Sequence, residues 1–183
     1  MGGMARSTGI AALVLAGLLA GCNGDITGGD GDGDGDGDGD GDGDAGQGAP
    51  DSSADATDLV FCVDETNRYR AMEGRPPLTH SQAIEDYAMI GAQQDTEQGQ
   101  AHYHFSSTSG GGIAYAENEC PSFLGWTVQG TVRNTIAECI AAFYSEGPGG
   151  GHYENMMGNY GSCGCGVYLD GTGGITIVQD LGN

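Results

Sequence analysis

Apolar and polar positions divide the chain into three stretches before any motif is considered. Ile10 to Ala20 is a short run without a polar side chain. Residues 23–57 are almost free of large apolar side chains, so they cannot offset the entropy of ordering a core. From residue 58 to residue 183 apolar positions recur with helical and strand periods, over a length that suits one ordinary domain.

Within that domain the pattern predicts helices first and strands last. Asp58 can cap a helix over Leu59–Met72, with Val60, Val63, Asn67 and Ala71 near one face, and Gly74 and Pro76-Pro77 stop it. Thr79-His-Ser-Gln82 has capping-box spacing, and a second helix runs on to about Glu97 with Ala83, Tyr87, Ile90 and Gly91 inward. Residues 99–130 are rich in Gly and Ser and read as loop, with short ordered pieces at His102–Phe105 and Ile113–Asn118. A third helix is expected over Thr131–Glu146, with Ile136, Ile140, Phe143 and Tyr144 inward. Cys163–Leu169 and Ile175–Gln179 read as strands joined through Asp170-Gly-Thr-Gly173. The order predicts an α+β layered domain.

Composition changes the picture mainly at the N-terminus. Arg6 precedes the apolar run, which has the length of a signal-peptide core and is too short to span a bilayer comfortably. It ends in Leu19-Ala20-Gly21-Cys22, which resembles the lipobox of bacterial lipoproteins. That resemblance implies that residues 1–22 are a signal peptide, that Cys22 is lipidated, and that a membrane is a partner through the lipid anchor. Asn23, where an aspartate would imply retention, points by the same resemblance to an outer membrane or cell-surface location. Aspartate then occupies every even position from Asp30 to Asp44. Glycine resists ordering and like charges repel, so residues 23–57 read as an expanded tether spanning roughly 30–35 Å by coil statistics. A calcium-binding β-roll would need a large apolar residue in each repeat, and the tract has none.

The formal net charge is −21. From Leu59 onward fourteen acidic residues face only Arg68, Arg70, Arg75 and Arg133, and there is no lysine. Such a surface repels phosphate backbones, so nucleic acid is not an expected partner. With Cys22 lipidated, Cys62, Cys120, Cys139, Cys163 and Cys165 remain. An exported chain should pair them and leave one thiol over. Cys120–Cys139 is the first expected bridge, and Cys62 with Cys163 or Cys165 the second.

Several ordered segments resemble one family. Asn67-Arg-Tyr-Arg-Ala71 with Gly74-Arg-Pro-Pro-Leu78, Ala116-Glu-Asn118, Phe143-Tyr-Ser-Glu146, Gly151-His-Tyr-Glu-Asn-Met156, Cys165-Gly-Val-Tyr168 and Val178-Gln-Asp-Leu-Gly182 are similar to motifs of the CAP superfamily. That superfamily, also called the SCP domain, is named for cysteine-rich secretory proteins, antigen 5 and pathogenesis-related 1 proteins. The resemblance implies a three-layer α-β-α sandwich over 58–183 with a shared cleft of two histidines and two glutamates. Carried over motif by motif, these are Glu117, Glu146, His152 and His102, with His104 as the alternative to His102. Ala116, Phe143 and Glu154-Asn155 depart from the usual motif residues, so ligand preferences of animal members do not transfer.

Two imidazoles and two carboxylates suit zinc or another divalent ion, with His102 and His152 as the nitrogen ligands, and an open position would activate a bound water. The resemblance implies no single reaction. A binding module for a lipid, glycan or protein is the expected function; a metal-dependent hydrolase of an extracellular polymer and a structural protein with a vestigial cleft are the rivals. Ser106, Ser107 and Ser109 are conceivable nucleophiles in a loop that has serines for ordinary reasons. His80 is expected to face solvent, Met156 and Met157 to fill core, and Trp126 to anchor a loop.

Overall fold

The computed structural model describes residues 54–183. The expected signal peptide, the expected lipidation site at Cys22 and nearly all of the expected tether lie outside the described residues.

Helix α1 (Ala56–Met72) begins earlier than expected, because Asp55 rather than Asp58 caps it: one carboxylate oxygen accepts from the amides of Thr57 and Asp58 at 2.7 and 3.0 Å. Asp58 instead lies in the first turn, where it receives Nε of Arg133 at 2.8 Å. The buried stripe is Asp58, Leu59, Cys62, Val63, Thr66 and Arg70. Val60 and Ala71, expected inward, are exposed. Reading one residue off along a helix turns the inward face by about 100°. Polar and sulfur groups decide the true face: Cys62 enters a disulfide, Thr66 is held by Gln179 Nε2 at 2.6 Å, and buried Arg70 donates to Pro76, Met156 and Gly158 carbonyls.

Thr79 and His80 form the short strand β1 rather than a cap, and Ser81 caps helix α2 (Gln82–Gln98). Tyr87 and Gly91 are buried as expected, with Ile84, Ala88 and Ala92, whereas Ala83 and Ile90 are exposed. His80 is not free in solvent, since its Nε2 sits 2.7 Å from Glu85 Oε2. The loop region holds more order than expected: helix α3 (Tyr103–Thr108) and strand β2 (Ala114–Cys120). Helix α4 (Val132–Ser145) matches expectation closely, capped by Thr131 and burying Ile136, Ile140 and Phe143. A short helix α5 (Gly151–Met156) was not anticipated; its six residues are too few to display a period.

Strands β3 (Ser162–Leu169) and β4 (Ile175–Gly182) form the expected hairpin. The sheet order is β1-β3-β4-β2, with β1 parallel to β3 and the other pairs antiparallel, so β2 is an edge. Residues from α1, α4 and α5 share one buried cluster with alternate residues of the sheet, among them Cys163, Cys165, Val167, Ile177 and Leu181. Ala88 and Ala92 of α2 meet Val178 on the opposite face. The architecture is an α-β-α sandwich. Cys163 and Cys165 share the α1 face of β3, and it is Cys165 that meets Cys62; Cys120 joins Cys139, and Cys163 stays a buried free thiol. Met156 and Met157 fill the core and Trp126 packs against its border. Among the described residues no helix is long and apolar enough to cross a membrane.

Candidate functional site: two histidine–glutamate pairs and a buried acidic cluster

Strand alternation sends neighbouring side chains of β2 to opposite faces. Asn118 points into the α1 side, where its Nδ2 donates to Gln179 Oε1 at 2.8 Å and to the His152 carbonyl at 3.1 Å. Asn155 Nδ2 donates in turn to Asn118 Oδ1 and to the Glu117 carbonyl, at 2.9 and 3.1 Å. These bonds stitch α5 to β2 and set His152 beside the strand that carries Glu117.

Glu117 and Glu119 point the other way, beneath α2. Each side chain is only 1% exposed. His102 meets both from the turn before α3: its Nδ1 lies 2.8 Å from Glu117 Oε1, and its backbone amide donates to Glu119 Oε2 at 2.9 Å. The residue adopts φ 59°, uncommon for a side chain other than glycine, and the paired contacts hold it there. His102 is therefore the histidine on Glu117. His104 turns inward beside it, tilted against Tyr87 with centroids 4.5 Å apart, with Nδ1 3.0 Å from Gln94 Oε1 and its amide donating to Asp95 Oδ1 at 2.7 Å.

The second pair is more open. Glu146 follows the last turn of α4, and its carboxylate spans the start of α5, accepting the His152 amide at 3.0 Å and facing His152 Nδ1 at 2.5 Å. Both side chains are about one-third exposed, and the imidazole lies against Phe143 at 4.8 Å. Gly150 makes the turn possible, because a Cβ there would fall 2.4 Å from Glu146 Cβ.

The electrostatics of the two places differ. Burial pushes Glu119 up to about 7 and raises Asp95, while burial and the neighbouring Glu117 raise Asp180 well above the ordinary carboxylate range. The hydrogen bond to Glu117 raises His102. The hydrogen bond from His152 lowers Glu146. Chemically, His102, Glu117 and Glu119 form a group whose ligand atoms lie within 4.8 Å of one another and could hold a metal ion. His152 and Glu146 are not members of that group. The four expected residues form two hydrogen-bonded pairs, His102 with Glu117 and His152 with Glu146.

Glu119, Asp95 and Asp180 were missed by sequence reasoning. Glu119 stands two residues after Glu117, so it shares a face with it on any strand; ending the ordered piece at Asn118 hid that signal. Asp180 sits inside an apolar strand, and Asp95 continues the buried spacing of Ala88 and Ala92 along α2. Ser107 Oγ donates to the His104 carbonyl at 3.1 Å, a contact within α3.

A layered α-β-α domain with histidine–glutamate pairs along one sheet edge is the class of protein that these observations define. The chain belongs to the Cysteine-rich secretory protein family, CAP, which it matches over residues 63–181. Its fold is similar to the crystal structure of a cysteine-rich secretory protein from Staphylococcus aureus, with a TM-score of 0.51 and 15% identity. That likeness covers 72% of this chain and 40% of the other, and it concerns the fold. No curated protein matches the chain.

Proposed function

We propose that the chain is a cell-surface or outer-membrane lipoprotein whose CAP domain is a binding module, anchored through Cys22 and held off the membrane by the acidic tether. The cleft residues are His102, Glu117, Glu146 and His152, a divalent cation such as zinc is the cofactor class, and the ligand is a lipid, glycan or protein. One observation carries this reading. Each imidazole turns Nδ1 to a glutamate, at 2.8 Å for His102 and 2.5 Å for His152. A carboxylate on Nδ1 fixes the tautomer and leaves Nε2 as an oriented acceptor. Two such groups on either side of the β2–α5 seam suit recognition of a polar group.

The experiment uses the full chain. Cys22→Ser is expected to release the protein from the membrane fraction and to remove the acyl mass from its N-terminal peptide; retention with an unchanged mass overturns the anchor. For the domain, wild type, Glu146→Gln and His152→Ala are compared against lipid vesicles, polysaccharides and surface proteins. Binding weakened at least tenfold in both variants supports the module. Turnover that Glu146→Gln abolishes with the fold intact makes the protein a hydrolase, and identical behaviour of all three forms makes the cleft vestigial.

A further inference from the structure

One end of the domain departs from the rest in charge. Loop 121–131, which leads from β2 to α4, holds no charged residue, and Asp170 is the only one from Leu169 to Gln179, in a chain with 26 acidic residues. The two segments are strapped together: Thr127 bridges Gly174, the Val128 amide donates to the Gly173 carbonyl at 3.1 Å, and the Ile175 amide donates to the Trp126 carbonyl at 3.1 Å. Asp170 is turned to its own loop, where Oδ1 accepts from the Thr172 and Gly174 amides at 2.8 and 3.0 Å. The surface of this end is apolar. Leu124 is 72% exposed and Phe123 36%, while Trp126, Val128 and Leu169 are half-buried against the border of the core. Connecting loops are ordinarily polar, and an exposed apolar run in one calls for a partner.

The chain also enters the domain at this end. Arg133, two residues past the Thr131 cap of α4, donates from Nε to Asp58 Oδ1 and from Nη2 to Thr57 Oγ1, both at 2.8 Å. The first turn of α1 therefore lies beside the first turn of α4, into which the apolar loop runs. The far ends of the same two helices meet through Tyr69 and Tyr144, with ring centroids 4.4 Å apart.

We infer that Phe123, Leu124 and Trp126 dip into the interface of a neutral lipid surface, the membrane on which the chain is anchored. The choice of membrane rests on the proposed anchor at Cys22; the affinity of the loop for lipid does not. Leucine and aromatic rings suit interfacial depth, where an apolar body is buried and the indole N–H stays among the headgroups. The surface is zwitterionic rather than anionic, because the loop brings no cation to a headgroup and the acidic domain repels negative charge. A protein partner fits less well, since a stable interface takes about 20–30 residues a side. Entry of the chain at the same end turns the loop toward the surface that holds the N-terminus.

Trp126 is the only tryptophan of the chain, so its fluorescence reads the loop directly. The test places the full chain on phosphatidylcholine vesicles, plain or brominated on the upper acyl carbons, and reads flotation and Trp126 emission separately. Wild type is expected to float, with its emission shifted to shorter wavelength and quenched at least twofold by the bromines. Leu124→Asp should abolish the quenching while flotation and Tm stay unchanged, and Leu124→Ser should weaken it. Met72→Asp, at the far end of α1 where Met72 is 61% exposed, should leave it as in wild type. Replacing half of the phosphatidylcholine by phosphatidylglycerol should reduce the quenching; an increase overturns the neutral surface. Flotation without quenching overturns this inference and leaves the anchor standing. Quenching and flotation equal to wild type in Cys22→Ser overturn the anchor and leave the loop standing. Neither signal at saturating vesicles overturns the inference, as does a dimer in lipid-free buffer that Leu124→Asp dissolves, because a second copy then covers the loop.

Discussion

The two faces of the sheet are built on opposite terms. Toward α1, α4 and α5 lie twenty buried apolar residues and both disulfides. Toward α2 the apolar contribution shrinks to Ala88, Ala92 and Val178, with Tyr168 at the border. There α2 rides directly on the strand: a Cβ on Gly164 or Gly166 would fall 2.2 Å from the helix backbone. The same face carries the acidic cluster and His102. One side supplies cohesion through apolar burial and covalent links; the other spends part of that cohesion on polar groups that the core does not require.

The largest expected effect breaks the first face. Replacing Cys62 and Cys165 by Ala opens a bridge spanning 103 residues and should cost about 4 kcal/mol, read from chemical denaturation midpoints. A loss below about 1 kcal/mol would mean that this face is not where the stability resides.

A second effect comes from the α2 face in chelator. Glu119 is raised from 4.5 to about 7 in the folded chain by burial. The folded state therefore binds its proton more tightly, and that stabilisation is complete below the unfolded value. It declines as pH rises from about 4.5 to 7 and is gone above that range, a change of roughly 3 kcal/mol. Glu146 has the opposite sign: its lowered pKa adds stability that is lost as pH falls. Asp95, Asp180 and His102 are raised too and add to the same decline, so denaturation across this window should show a fall that Glu119→Gln makes shallower and Glu146→Gln does not. A flat profile in wild type would break the contrast between the faces.

The smallest effect concerns Asp180, which is buried and is the register partner of Glu117. Burial and the neighbouring Glu117 raise its pKa, so Asp180→Asn should change stability little near neutral pH and stabilise the chain by about 1–2 kcal/mol once the wild-type carboxyl ionises at higher pH. Denaturation midpoints of the two forms that coincide at every pH would contradict the burial of an ionisable group there.

The apolar face was the legible one. Helix α4 and the β3–β4 hairpin follow from period and turn chemistry, and Cys120–Cys139 ties the expected third helix to the segment after Asn118. Which of Cys163 and Cys165 meets Cys62 needed the register of β3. On α1 the true stripe includes Thr66 and Arg70, whose burial depends on Gln179 and on the Met156 and Gly158 carbonyls far along the chain. No local pattern could announce that. His102, Glu117, Glu146 and His152 were reached by motif resemblance, while their division into two pairs is a property of the fold. Asp95, Glu119 and Asp180 look like surface acids in a sequence, and only three-dimensional packing shows that α2 covers them.

The division between a cohesive face and a ligand-holding face is tested most directly by a crystal structure of the chain grown with Zn2+ or Mn2+ and mapped by anomalous scattering. The expected result is one peak in the cleft of His102, Glu117, Glu146 and His152. An ordered ion elsewhere in the domain, or none at saturating metal, would contradict it.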